Sequence, residues 1–292
     1  MNGYDTSLFE LHDKPGGLCT SWRRKGYVFD FCIHNLSGTA PDSSFHKIWK
    51  ELGAFDGIST IGFSELVELD SPDGRRLLIS ADLDRLRENL LALSPQDSGV
   101  IEEYVGAVKK ARGVDFTSLF LGGWINTITL MPKIGLVRKW GPITAGKFAE
   151  RFQDPFLRKG MAAVQYGMSE TPMIVHLSML AALERGEMGW PVGGSRAFAK
   201  NIERRYVELG GKVSYRSRVV KIIVEDGQAK GVVLEDGSER RADIVVSAAD
   251  GHATIYDMLG GRYLNERIRG YYEDSVPESQ EFGLEVFLGV SR

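Results

Sequence analysis

Apolar residues recur along this chain in two periods, and the period changes with position. Near the start, TSLFE (6–10) and YVFDF (27–31) are short runs of strand-forming residues. Between them, DKPGG (13–17) reads as a turn, because proline fixes one φ and the glycines admit positive φ or close backbone approach. From Ser43 the spacing lengthens. Phe45, Ile48, Trp49 and Leu52 fall on one face, which predicts a helix over 43–53 stopped by Gly53. Residues 63–80 predict a hairpin, with FSELVELDS and RRLLIS flanking the turn residues SPDG.

Helical spacing then dominates 81–188. ADLDRLRENLLAL (81–93) is amphipathic with acids at its start, and 94–114 follows with Pro95 just inside a second helix. The stretch 168–190 is apolar on one side through Met173, Val175, Met179, Leu180 and Leu183. Beyond it, GWPVGG (189–194) delivers the chain into a helix carrying Phe198, Ile202, Tyr206 and Leu209. Successive strands are expected after Lys212, with hairpin turns at Asp226-Gly227 and Asp236-Gly237. ADIVVSAA (242–249) is continuously apolar and small, which suits a strand covered on both faces. EFGLEVFLGVSR (281–292) reads as the beginning of another strand. The pattern predicts an α/β protein whose strand-rich ends are separated by a helical domain.

Composition narrows the function classes. The 292 residues are 43% apolar and 26% charged, with a net charge of −3, so no basic excess attracts nucleic acid. Cys19 and Cys32 make no CxxC pair, and the five histidines lack metal-ligand spacing, so no disulfide framework or metal site is expected. No run of 18 apolar residues offers a spanning helix, MNGYDT has no signal-peptide character, and a cytoplasmic location is expected.

Candidate chemistry concentrates near the start. In a dinucleotide-binding βαβ unit, a glycine-rich turn precedes a helix, and an acid about 20 residues later ends the second strand and binds a ribose. Glu10 stands where that acid belongs, but ten residues cannot hold the preceding strand, turn and helix, and no GxGxxG occurs in the chain. The surrounding order is Glu10, Pro15-Gly16-Gly17, then Gly26-Tyr27-Val28-Phe29-Asp30 and Ile33-His34. Further on come WPVGGSRAFAKNIERRYVELGGKV (190–213) and VVSAAD (245–250).

In these features the chain resembles flavin-dependent oxidoreductases of the phytoene desaturase, carotenoid isomerase and retinol saturase group, within the wider amine oxidase-like FAD superfamily. The resemblance implies an incomplete Rossmann-like FAD-binding domain of the glutathione reductase type, with a largely helical, mixed α+β substrate domain. It assigns 1–62 and 189–273 to the FAD-binding domain, 63–188 to the substrate domain, and 274–292 to a second substrate-domain segment.

The implied cofactor is FAD. By resemblance Glu10 holds the adenosine ribose, Pro15, Gly16 and Gly17 let the backbone lie close to the cofactor, Val220 meets the adenine through backbone groups, and Ala248 and Ala249 allow its passage. Many relatives place arginine after Gly-Gly where this chain has Leu18, and Arg23 or Arg24 is the candidate to supply that charge. His34 is a candidate catalytic residue facing flavin or substrate, or else a packed histidine. The chain reads as an internal piece of a longer protein, without the glycine-rich loop and the later flavin-binding segment. Each lost charged hydrogen bond to the pyrophosphate removes about 1.5–3 kcal/mol of binding.

The implied reaction is hydride transfer to or from flavin on an apolar, isoprenoid or other lipid-like small molecule, giving desaturation, saturation or isomerisation. An amine oxidase-like activity and a non-catalytic remnant are the alternatives, and the oligomeric state is open. WINTITLMPKIGLVRKW (124–140) either lines a substrate tunnel, touches a membrane surface peripherally, or packs as core. GPITAGKF (141–148) nearly matches a phosphate-binding loop, but Phe148 replaces the required hydroxyl, so a turn and helix are expected, with Pro155 ending or kinking that helix.

Overall fold

The computed structural model describes residues 3–114, 131–165, 167–274 and 286–290, and within them the chain is a mixed α/β protein. The first elements are strands β1 (Ser7–Phe9), β2 (Ser21–Arg24), β3 (Tyr27–Asp30) and β4 (Leu36–Ser37), then helix α1 (Ser44–Glu51). Strands β5 (Thr60–Gly62), β6 (Glu65–Asp70) and β7 (Arg76–Ser80) precede helices α2 (Leu83–Leu93) and α3 (Ser98–Ala111). Further helices are α4 (Ile134–Trp140), α5 (Ala145–Ala149), α6 (Pro155–Ala163) and α7 (Met173–Glu184). Then come β8 (Met188–Pro191), α8 (Gly194–Glu208), β9 (Lys212–Ser214), β10 (Val219–Glu225), β11 (Gln228–Leu234), β12 (Glu239–Arg241) and the short α9 (Glu266–Arg269).

The chain forms two compact units, one of Ile33–Phe198 and one of Met1–Cys32 with Ala199–Arg292. The division falls inside α8.

The unit of Ile33–Phe198 is built on capped helices. Ser43 caps α1 by accepting from the His46 amide at 3.2 Å, and Gly53 leaves the helix at φ 66°. Asp82 caps α2 by accepting from the amides of Asp84 and Arg85. The β6–β7 hairpin is antiparallel and turns Leu77 and Ile79, both fully buried, into the helical core with Leu86, Leu90, Ile101 and Leu157. Each such side chain contributes about 1.5–3 kcal/mol through burial. Helix α6 approaches the hairpin at Gly160, where a Cβ would come within 2.5 Å of Leu77 Cδ2. A small sheet of order β4-β8-β5 sits beside α1, whose Trp49 Nε1 donates to the Ser37 carbonyl at 2.9 Å and whose ring meets Phe198 edge-on.

Three expectations change here. Helix α7 is buried almost all round rather than on one side, from Met173 to Leu183, because it runs through the middle of the helical core. Pro155 begins a helix rather than only ending one: it occupies the first turn of α6, where its missing N–H costs nothing, and Asp154 caps it by accepting from the Leu157 amide. The 124–140 segment lies outside the described residues up to 130; from 134 it is helix α4, which ends in the buried Trp140.

The other unit is rich in strands. β1 pairs with β9 in parallel, Leu8 opposite Val213. β10, β11 and β12 form an antiparallel sheet, and Asp226 and Gly227 turn between the first two at φ 50° and 74°, as the Asp-Gly signal predicts. Ile222, Val232 and Leu234 centre its core, with Phe9, Val219 and Val245 packed against them. β2 and β3 form an aromatic hairpin in which Trp22 stacks on Phe29 and meets Phe287 edge-on at 4.8 Å.

The expected strand over 242–249 is not formed. Ile244 and Val246 are 62% and 84% exposed, and only Val245 turns inward. A strand needs neighbours for its backbone groups, and the Ala242 amide still donates to the Lys230 carbonyl of β11 at 3.1 Å, but among the described residues no strand pairs with the stretch beyond it. Most of 281–292 lies outside the described residues; 286–290 is not a strand.

Candidate cofactor site

Glu10 closes β1 and is fixed from three directions. Its amide donates to the Ser214 carbonyl and its own carbonyl accepts from the Ser217 amide, both at 2.9 Å. Its carboxylate Oε1 accepts from the His12 amide at 2.7 Å. These bonds follow from the parallel β1–β9 pairing, which carries both chains forward into adjacent turns. The Arg216 amide donates to the His12 carbonyl at 3.0 Å and closes the same corner. Tyr215 lies here and donates to Glu203; burial, that bond, and the charges of Glu203 and Glu10 push its phenol well above its ordinary value.

The turn after Glu10 uses its two glycines differently. Gly16 has φ 110°, and a Cβ there would collide with the Cys19 carbonyl oxygen and press on Ala199 Cβ at 3.0 Å. Gly17 has φ 55° with open space around it. Gly16 is therefore required by close packing and Gly17 by conformation alone. Lys14, next to Pro15, folds back so that Nζ donates to the Ser21 carbonyl at 2.8 Å. Thr20 Oγ1 and Ser21 Oγ, both buried, have no hydrogen-bond partner.

Val220 sits at a bulge. Val219 pairs with Leu234 and Lys221 with Val233, so the register shifts at Val220 and takes it out of the ladder. The Ser217 amide on the Glu10 carbonyl brings this approach to β10 beside the end of β1. Ala248 and Ala249 lie on the exposed stretch before Asp250, whose carboxylate accepts from the Ala253 amide at 2.8 Å.

Glu10, Pro15, Gly16, Gly17, Val220, Ala248 and Ala249 thus fall within one compact unit, whose core takes in Phe9, Val219 and Val245. Arg23 and Arg24 belong to the same unit, exposed at the end of β2 where the chain turns toward β3. His34 is exposed and belongs to the other unit.

The residues present fit part of a dinucleotide. A strand-ending carboxylate with one oxygen on a local amide has the chemistry to accept from a ribose hydroxyl, and a bulged strand has backbone polar groups outside the ladder of the kind that meet a base edge. By contrast, GPITAGKF is no phosphate loop. The Ala145 and Gly146 amides donate to the Thr171 and Ser169 carbonyls at 2.9 and 2.8 Å, and Thr144 caps the short α5. Sequence reasoning missed the buried trio of Tyr104, His176 and Gln165, in which Tyr104 lies 72 positions from His176 and Gln165 lies 11 from it.

A carboxylate at the end of a parallel strand in a mixed α/β unit is the kind of frame on which nucleotide-binding proteins are built. Residues 1–254 match the family described as flavin containing amine oxidoreductase, and the chain belongs to that family, whose cofactor is FAD. The chain is 26% identical over 280 residues to prolycopene isomerase 1, chloroplastic, of an Oncidium hybrid cultivar, covering 89% of this chain and 46% of that protein. It is 23% identical over 295 residues to the phytoene desaturase (neurosporene-forming) of Rhodobacter capsulatus, covering 98% and 55%. The chain thus spans about half the length of the curated relatives it matches. Among solved structures, an oxidoreductase from Methanosarcina mazei aligns with a TM-score of 0.55 at 20% identity, covering 92% of this chain and 58% of that one. This last likeness concerns the fold.

Proposed function

We propose that the strand-rich unit carries the adenosine side of an FAD site of the incomplete Rossmann-like type. The protein it belongs to is then a flavin-dependent oxidoreductase acting on an apolar, isoprenoid or lipid-like molecule. The observation that carries this reading is Glu10, held at the end of β1 with the Ser217 amide on its carbonyl, three residues before the bulged Val220, in a chain of this family. Glu10 binds the ribose, Val220 the adenine edge, and the Gly16-Gly17 turn admits the cofactor's backbone. Arg23 and Arg24, exposed at the hairpin, are not carried into this reading.

The flavin, when bound, supplies the hydride transfer by which carbon–carbon double bonds are formed, saturated or isomerised. The chain's part is to hold and orient the cofactor, and the helical unit's part is to shelter an apolar substrate from water. The names of the relatives, prolycopene isomerase and phytoene desaturase, support an isoprenoid substrate. Amine oxidation is the second reading, favoured by the description of the matched family.

The test is FAD titration of the whole chain, followed by flavin fluorescence. Saturable binding is expected, and Glu10→Gln should weaken it about tenfold, the effect of removing one charged hydrogen bond. Absence of binding at any FAD concentration sinks the proposal that this unit holds the adenosine side of the cofactor.

A further inference from the structure

Resting on that FAD reading, we propose that Lys14 is the cation that meets the cofactor's pyrophosphate, standing in for the arginine that many relatives place after Gly-Gly. The sequence points instead to Arg23 or Arg24, the nearest arginines downstream of Leu18. The structure places both of them exposed at the turn end of an aromatic hairpin, while Lys14 lies in the turn itself.

Three features converge on Lys14. Its ammonium is half-buried and anchored by one hydrogen bond, to the Ser21 carbonyl, which leaves two N–H donors for a ligand. That bond folds the side chain across the Pro15-Gly16-Gly17 turn, on the path from Glu10 to β2. The neighbouring acid, Asp13, is shared: it meets His12 at 2.7 Å and Arg216 at 3.6 Å as well as feeling the Lys14 charge.

A second observation points to a polar ligand at this turn. Among the described residues, the buried side-chain oxygens without a hydrogen-bond partner are those of Thr6, Thr20 and Ser21. Thr20 and Ser21 follow the glycine turn, and Ser21 is the residue whose carbonyl holds Lys14, whereas Thr6 precedes β1 at the far end of that strand. Buried hydroxyls are ordinarily satisfied, and a group of unsatisfied ones marks a place where something polar belongs. A pyrophosphate beside Lys14 supplies acceptors there.

Phosphate dependence tests the assignment. FAD and riboflavin, which lacks phosphate, are titrated against the wild-type chain, Lys14→Met, Lys14→Arg and the double variant Arg23→Ala/Arg24→Ala. Lys14→Met should weaken FAD about 10- to 100-fold, the range for one charged hydrogen bond, and leave riboflavin unchanged. Lys14→Arg should retain FAD, and the double variant should match wild type. Equal losses for FAD and riboflavin in Lys14→Met, or a loss confined to the double variant, would overturn the assignment. Where wild type binds no FAD, inorganic pyrophosphate separates the two ideas. Pyrophosphate binding that Lys14→Met abolishes upholds the anion site and sinks only the flavin reading, whereas no pyrophosphate binding sinks both.

Discussion

Tyr104 Oη and His176 Nε2 lie 2.6 Å apart in the helical core, joining α3 to α7 across 72 positions of sequence. Gln165 faces the other ring nitrogen at 2.7 Å, so both nitrogens of a neutral imidazole are satisfied. Burial pushes His176 down to about 4 and raises the Tyr104 phenol. Protonating His176 would place a charge in an apolar core.

The sign of the resulting pH dependence is fixed. The unfolded histidine titrates near pH ~6.5, so the unfolded state binds the extra proton first as pH falls. Stability is full above about pH 6.5 and is lost toward pH ~4, on the order of 3 kcal/mol from this group. Urea denaturation across that range should show the decline. In His176→Leu the decline should flatten, while stability at neutral pH drops by about 1–3 kcal/mol because Tyr104 and Gln165 lose their partner.

Asp97 predicts a second loss at lower pH. It is buried before α3, and its carboxylate accepts from the Gln153 amide at 2.7 Å, the Ser94 hydroxyl at 2.7 Å and the Asp154 amide at 3.1 Å. Burial raises its pKa, but these donors and Arg158 outweigh burial and hold it below the ordinary value. Its contribution is therefore present above about pH 4 and disappears below. Asp97→Ala should cost about 3 kcal/mol or more in thermal or urea denaturation, since it strands two amides and a hydroxyl.

The two glycines of the turn should respond unequally to alanine. Gly17→Ala meets open space and costs about 1–2 kcal/mol from its positive φ alone. Gly16→Ala adds a collision with the Cys19 carbonyl oxygen and should lower the melting temperature more. Equal melting temperatures for the two variants would refute the close packing at Gly16.

Leu77 and Gly160 form a complementary pair. Leu77→Ala should cost about 2–5 kcal/mol by leaving a cavity. Gly160→Ala alone should destabilise by overpacking, since its Cβ would lie 2.5 Å from Leu77 Cδ2. Together they should be less damaging than the sum of the two, and a double-mutant cycle in urea measures that coupling.

What the sequence makes legible follows from how local the controlling physics is. Helices α1 and α2 and the hairpins β6–β7 and β10–β11 announce themselves through caps, glycine stops and turn residues close to where they act, whereas Pro95, expected just inside α3, lies in a separate short turn before it and α3 begins at Ser98 without a side-chain cap. The sheet β4-β8-β5 does not, because strands of two to four residues carry no alternation to read. Residues 242–249 carry the composition of a buried strand, but composition cannot supply the neighbour that a strand needs. At the candidate site, Glu10 and the glycines are visible as a motif, whereas Lys14 emerges only when its ammonium is seen on the Ser21 carbonyl.

The uncovered run around Ile244 and Val246 also bears on how this chain behaves in solution. Exposed apolar side chains on unpaired backbone favour association between copies, so self-association of the isolated chain grows as its concentration rises.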